Sequence, residues 1–159
     1  MMKKPSKNTW KLIATCLVFI LAILGAVLVF TRSAEPQKVT LSQEYLNGYN
    51  MGVIDIEEYQ ALVDDQKSFV VISYIPGCSA QILTYLKHYA IDHNLAYFYL
   101  PWSATRELDL KSSVKFPPTV MIFNQGKLTA FLDSNSNIDA KYYNSEDEFS
   151  SWMNFHLNI

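Results

Sequence analysis

The sequence is short of cysteine, histidine and clustered positive charge, and each shortage closes off a class of function. Its cysteines are two, Cys16 and Cys78, and its histidines three, His88, His93 and His156. No two of these stand at metal-ligand spacing. The acidic pairs Glu57-Glu58 and Asp64-Asp65 read as solvated helix-face charges, so neither a metal nor a cofactor is implied. A Gly-rich phosphate loop, a dinucleotide fingerprint, a basic patch and an internal repeat are all missing. Cys/His hydrolase chemistry fails on distance. His88 lies ten residues beyond Cys78, which on a helix is about 15 Å. His93 is farther, and His156 belongs to a terminal helix.

Charge is also missing from one long stretch. Leu12 to Phe30 is 19 apolar or small residues without a charge, enough to cross about 30 Å of hydrocarbon. The run is too long for the core of a cleaved signal peptide, and Phe30-Thr31-Arg32-Ser33-Ala34 offers no clear cleavage site. Cys16 sits near its start, whereas a lipidated cysteine must follow such a run, so Cys16 reads as a buried membrane thiol. Residues 1–11 are expected to be a cytoplasmic tail, 12–30 a transmembrane helix in contact with lipid, 31–49 a linker and lead-in, and 50–159 an extracytoplasmic domain. Orientation comes from charge. Lys3, Lys4, Lys7 and Lys11 precede the span and Arg32 follows it, with no acid before residue 33. The positive-inside rule then puts the N-terminus in the cytoplasm of a single-pass cell-membrane protein. Beyond Arg32 the remaining 8 basic residues meet all 15 acidic ones, a net charge of −7, which disfavours nucleic acid as a partner.

In the outer part, Met51 to Ile54 reads as a short strand. Asp55 and Glu58 form a capping box that opens a helix. Phe69 to Ile75 is almost wholly apolar, as a central strand covered on both faces should be. Pro76-Gly77 ends it. From Cys78 to about His93, Ile82, Leu83, Leu86, Tyr89 and Ala90 recur at helical spacing. A strand over Leu95–Leu100 follows, then a short helix over Ala104–Ser113. Thr119–Phe123 and Leu128–Leu132 flank Asn124-Gln125-Gly126 as a hairpin. Asp133–Asn144 reads as polar and irregular. Ser145 and Glu148 make a second capping box, opening a helix that buries Phe149, Trp152, Met153 and Leu157. The order β-α-β-α-β-α-β-β-α implies a central mixed sheet with helices on both faces. The expected core includes Ile54, Val70, Ile72, Leu83, Leu86, Phe98, Val120, Ile122, Phe131 and Trp152.

That order, with a cysteine where the central strand turns into a helix, resembles the thioredoxin superfamily, a three-layer α/β/α fold. A second motif agrees. "KFPPTVMIFNQGKL" is similar to the superfamily's cis-proline segment, with Pro118 in the cis-proline position. The membrane anchor, the small outer domain and "VIDIEEYQAL" ahead of the cysteine strand look most like the bacteriocin-transport accessory proteins of Gram-positive bacteria.

The departures from the superfamily carry the functional reading. Its redox motif is Cys-x-x-Cys; here it reads Cys78-Ser79-Ala80-Gln81. A dithiol oxidoreductase needs its second thiol to release a mixed disulfide, and Gln81 supplies none. The buried carboxylate that the superfamily tends to place six residues before its first cysteine is here Ile72, and Pro117 precedes Pro118 where a β-branched residue is common. The resemblance therefore implies a monomeric accessory protein that binds exported peptides or proteins without dithiol catalysis. Pro118, Pro117 and Gln81 are its expected client-binding residues. Tyr74 and Trp102 join them as aromatics that stand where strands give way to loops, near Tyr97 and Tyr99. The alternative is a monothiol oxidoreductase or thiol-capture protein acting through Cys78, because a helix N-terminus favours the thiolate. A thiol can equally persist there unused.

Overall fold

A computed structural model of the protein describes residue 20 and residues 37–46, 48, 50–77, 80–108, 110 and 114–159. The chain divides into two compact units, Met1–Pro36 and Gln37–Ile159. Within the first only Ile20 is described, helical and exposed, so the expected tail and membrane span lie outside the described residues. Among the described residues no helix is long and apolar enough to cross a membrane.

The second unit contains β1 (Asn50–Val53), α1 (Ile56–Asp64), β2 (Phe69–Tyr74), α2 (Gln81–Asp92), β3 (Ala96–Pro101), α3 (Trp102–Thr105), β4 (Thr119–Asn124), β5 (Lys127–Phe131), α4 (Ala140–Asn144) and α5 (Glu146–His156), with a 3-10 turn at Gln43–Tyr45. The strands form one mixed sheet in the order β1-β3-β2-β4-β5. β1, β3 and β2 run parallel, while β4 is antiparallel to both β2 and β5.

Period-two side-chain alternation makes two cores out of the same strands. Val70 and Ile72 of β2 and Val120 and Ile122 of β4 face Leu86 of α2 and Phe149 and Met153 of α5. Phe69, Val71, Met121 and Phe123 face the other way, onto Tyr59 of α1. Phe69 and Phe123 are neighbours in the β2–β4 register and stack at 4.7 Å. Both strands are buried on both faces, which is why their sequences are continuous apolar runs. Of the expected core, Ile54, Val70, Ile72, Leu86, Val120, Ile122 and Trp152 are buried, and Leu83, Phe98 and Phe131 are partly buried against it.

Local chemistry explains most boundaries. Asp55 Oδ1 accepts from the Glu58 N–H at 2.8 Å and Glu58 Oε2 accepts from the Asp55 N–H at 3.1 Å, the complete capping box. The box at Ser145 is only half made. Ser145 Oγ accepts from the Glu148 N–H at 3.3 Å, but the Ser145 N–H is already given to Lys141 O and the Glu148 carboxylate pairs with Lys141 Nζ at 2.9 Å. The β4–β5 turn puts Gln125 at φ 51° and Gly126 at φ 75°, the left-handed pair of a two-residue hairpin. Glycine is required there for a second reason: a Cβ on Gly126 would collide with the Val63 carbonyl oxygen at the end of α1.

Five expectations need correction. The short helix expected over Ala104–Ser113 is instead α3, Trp102–Thr105, which starts directly at the end of β3 and is capped at Arg106. The helix after β2 starts at Gln81 and not at Cys78, because Ala80 is still extended (φ −114°, ψ 139°) and serves as its N-cap. Ile75 lies outside β2 and is exposed. The stretch expected to be irregular contains α4, whose Tyr142 and Tyr143 pack onto the α2–α5 core; tertiary anchoring overrides weak local propensity there. The expected lead-in is folded from Gln37 onward. Val39 and Leu41 are core residues, and Val39 donates to His156 O (2.7 Å) and accepts from the Asn158 N–H (2.9 Å).

Candidate functional site

Two chain breaks meet at one end of the sheet. β2 stops at Tyr74 and β4 starts at Thr119, and Ser73 pairs with Thr119 in the antiparallel register. The loops beyond them, one running to α2 and the other carrying the prolines, are therefore neighbours. Between them lies a small hollow lined by Tyr74, Ile75, Ala80, Leu83, Pro117 and Pro118. None of these six side chains carries a charge.

The proline side of the hollow is held by its carbonyl groups. The Pro117–Pro118 peptide bond is cis. Thr119 Oγ1 donates to Phe116 O at 2.5 Å, and Ser134 Oγ reaches the same oxygen at 3.3 Å. The Tyr143 phenol lies 2.9 Å from Pro118 O and 3.0 Å from Leu132 O. Burial pushes that phenol well above its ordinary pKa, with the Asp139 and Asp133 carboxylates adding to the effect, so it stays a donor.

The β2 side is aromatic. Tyr74 meets Tyr99 edge to face at 5.0 Å, and Tyr99 meets Tyr97 at 5.4 Å with their hydroxyls 3.3 Å apart. Tyr97 is fully buried, while Tyr99 and Tyr74 are partly buried, so the row climbs from the core to the hollow. One residue before Tyr74, the buried Ser73 hydroxyl is satisfied by Thr105 Oγ1 at 2.8 Å. Ile72 is fully buried and packs in the α2-side cluster, where an ionised carboxyl would have no partner.

The structure thus brings together Tyr74, Pro117 and Pro118 of the expected client-binding residues. Gln81 is the exposed first residue of α2, one position beyond Ala80, and does not line the hollow. Trp102 goes elsewhere. α3 turns it toward the α1-side core, where it lines a different depression with Ser103, Arg106, Glu107, Val114 and Lys115. Cys78 and Ser79 lie outside the described residues. Ile75, Ala80 and Leu83 were not anticipated as lining. Their signal was faint: Leu83 belongs to the apolar stripe of α2 but sits in its first turn, where the stripe overhangs the sheet.

The histidines stand apart from the hollow. His88 Nδ1 pairs with Glu146 Oε1 at 2.7 Å, His93 rests on Tyr89 at 4.3 Å, and His156 lies between Trp152 and Phe155. Burial holds the His156 pKa below its ordinary value. Among the described residues no group of three or more His, Cys, Asp or Glu side chains is arranged to hold a metal ion.

No protein-family model matches the chain, and no curated protein sequence matches it. Solved structures do. Thioredoxin NaTrxh from Nicotiana alata superimposes with a TM-score of 0.53 at 12% identity, covering 70% of this chain and 96% of that one. Thioredoxin f2 from Chlamydomonas reinhardtii gives 0.50 at 16% identity, over 67% of this chain and 96% of that one. The Malassezia sympodialis thioredoxin gives 0.50 at 10%, over 67% and 90%. At these identities the likeness is one of fold, and the fold of residues 37–159 is thioredoxin-like.

Proposed function

We propose that this chain is a membrane-tethered, extracytoplasmic thioredoxin-like accessory protein that binds extended segments of exported peptides beside Pro118 and does not catalyse dithiol exchange. The observation that carries this reading is the uncharged hollow of Tyr74, Leu83, Pro117 and Pro118, with Gln81 in the place of a second thiol. A shallow apolar hollow next to exposed loop main chain suits an extended peptide, which contributes backbone hydrogen bonds and rests an apolar side chain over it. The uncharged run 12–30 and its flanking lysines support the tether and its orientation. Export of bacteriocin-like peptides is the client pathway we favour, on the resemblance carried by the anchor and by "VIDIEEYQAL".

A second reading rests on chain position. In the chain Cys78 falls between Ile75 and Ala80, both of which line the hollow, so its thiolate could attack a client disulfide, one client sulfur leaving as a thiolate and the other staying bonded to Cys78. One experiment separates the two. The full-length chain in detergent micelles is given a labelled, cysteine-free apolar peptide and, separately, insulin with a thiol reductant. The accessory reading expects saturable peptide binding that survives Cys78→Ser and is lost in Leu83→Asp, with no sustained insulin reduction. Turnover that Cys78→Ser abolishes would replace it with the monothiol enzyme.

A further inference from the structure

The two margins of the sheet are built differently. β5 turns Lys127 and Thr129 outward, and its register with β4 shifts between Ile122 and Phe123. Lysine and irregular register are devices that keep a strand edge from pairing with another chain. β1 has neither device. Asn50-Met51-Gly52-Val53 is uncharged, bonds among the described residues to β3 alone, and leaves Met51 46% and Val53 65% exposed.

The direction of its main chain follows from one hydrogen bond. Ile54 N–H donates to Tyr99 O at 2.9 Å. In a parallel ladder alternate residues address the same neighbour, so Gly52 and Ile54 serve β3 while Met51 and Val53 point their amide and carbonyl groups at the open margin. The Met51 N–H is taken by Asn50 Oδ1 at 2.8 Å. The Val53 N–H and the carbonyls of Met51 and Val53 face outward.

At Val53 the margin meets a basin whose lining includes Val53 and Pro101 and the acidic residues Asp55, Glu57, Glu58 and Glu107, with no basic residue. Asp55 and Glu58 are engaged in the capping box, which leaves their negative charge in place.

We propose that the β1 margin is a second docking surface, which takes an extended, basic segment of another polypeptide. The segment pairs antiparallel with Asn50–Val53, lays alternate apolar side chains along Met51 and Val53, and sets a lysine or arginine at its N-terminal end over the carboxylates. Main-chain bonding to an open edge supplies the affinity and the basin supplies the sign. A second copy is the poorer occupant. It would present the same acidic basin, and residues 33–159 carry a net charge of −7. This surface is independent of the groove at Pro118, which is uncharged and lies on the far side of β3 and β2.

The test uses the full-length chain in nonionic detergent micelles and two peptides, fluorescein-labelled at their C-termini. One is Lys-Lys followed by alternating Val-Thr; the other begins with Glu-Glu. Fluorescence anisotropy should show saturable binding of the lysine-led peptide, with the glutamate-led one weaker by about tenfold or more. Val53→Pro removes an outward N–H together with the valine side chain along which the segment lies, a change that an edge strand tolerates, and should also weaken the lysine-led peptide by about tenfold. So should the pair Glu57→Lys with Glu107→Lys, which leaves the strand intact and carries the test alone should Val53→Pro not fold. Leu83→Asp, in the groove, should leave this binding unchanged. The proposal is overturned by equal affinity for both peptides, by no saturable binding to the unmodified chain, or by indifference to the charge reversal. A concentration-dependent dimer that Val53→Pro dissolves would assign the margin to a second copy instead.

Discussion

The phenol of Tyr143 lies 2.9 Å from the carbonyl oxygen of Pro118, a contact between residues 25 positions apart. It ties α4 to the proline side of the hollow, and the same hydroxyl is 3.0 Å from Leu132 O where the chain leaves β5. Tyr143→Phe keeps the ring and removes the donor. Losing a buried donor costs about 1–2 kcal/mol, so the urea midpoint should fall by that equivalent. Affinity for a peptide in the groove should fall as well. A variant with normal stability and normal binding would show that the tie is incidental.

Topology is tested by labelling. Ile138 is 81% exposed at the tip of the loop before α4. In a background of Cys16→Ser and Cys78→Ser, a thiol introduced by Ile138→Cys should react with a membrane-impermeant maleimide on intact cells. Reaction only after lysis would reverse the orientation.

Restoring the missing thiol should restore a bridge. Gln81 is three residues on from Cys78, the spacing of a Cys-x-x-Cys motif, and is the first residue of α2. Gln81→Cys should therefore yield a thiol pair that resists alkylation until reduced. Catalytic gain should be small, because Ile72 offers no proton acceptor. Ile72→Asp would place a carboxyl in a fully buried apolar site, so any gain it brings should come with lost stability. Persistent free thiols in Gln81→Cys would count against the active-site correspondence with Cys-x-x-Cys proteins.

Two glycines with similar backbone angles should respond unequally to alanine. At Gly77 (φ 83°) a side-chain Cβ would meet nothing within 4 Å, whereas at Gly126 (φ 75°) the Val63 carbonyl stands in the way. Left-handed backbone alone costs about 1–2 kcal/mol, which is the expected loss for Gly77→Ala. Gly126→Ala should cost more. Equal losses by chemical denaturation would remove the steric part of the account.

Stability should decline on the acid side of neutrality in a way that depends on His156. Burial lowers its pKa in the folded chain below the ordinary 6.5, so below that value the unfolded chain binds the proton more readily than the folded one. The contribution is complete above about pH 6.5 and is lost as pH falls from there toward the folded pKa. His156→Gln should flatten that limb between pH 7 and 5 in denaturation experiments. An unchanged slope would place the titration elsewhere.

Much of this architecture could be read from residue order because its cues are local or strongly patterned. β2 and β4 are buried on both faces and so are apolar throughout; Gln125-Gly126 marks its own hairpin; Asp55 and Glu58 cap a helix without outside help. The superfamily resemblance also identified Pro118 correctly as the residue after the cis bond. The start of α2 was illegible because Ala80 caps it with main chain alone. α4 was illegible because its anchors, Tyr142 and Tyr143, work only against elements distant in sequence. Trp102 was misplaced for a related reason: a strand end indicates where a side chain leaves the sheet but not to which face the next helical turn carries it. Periodicity identified the stripe of α2, yet it could not separate Leu83, which lines the hollow, from Leu86, which is buried.

The clasp between Val39 and residues 156–158 has a mechanical meaning. Both ends of the folded unit meet at two hydrogen bonds, Val39 N–H to His156 O and Asn158 N–H to Val39 O. Tension applied through Gln37 is met first by this clasp, which hands the load to α5 and leaves the Tyr74–Pro118 end of the sheet unstretched. The N-terminal end of the folded unit is thus held by its own C-terminal residues, and the far end of the sheet keeps its shape when Gln37 is pulled.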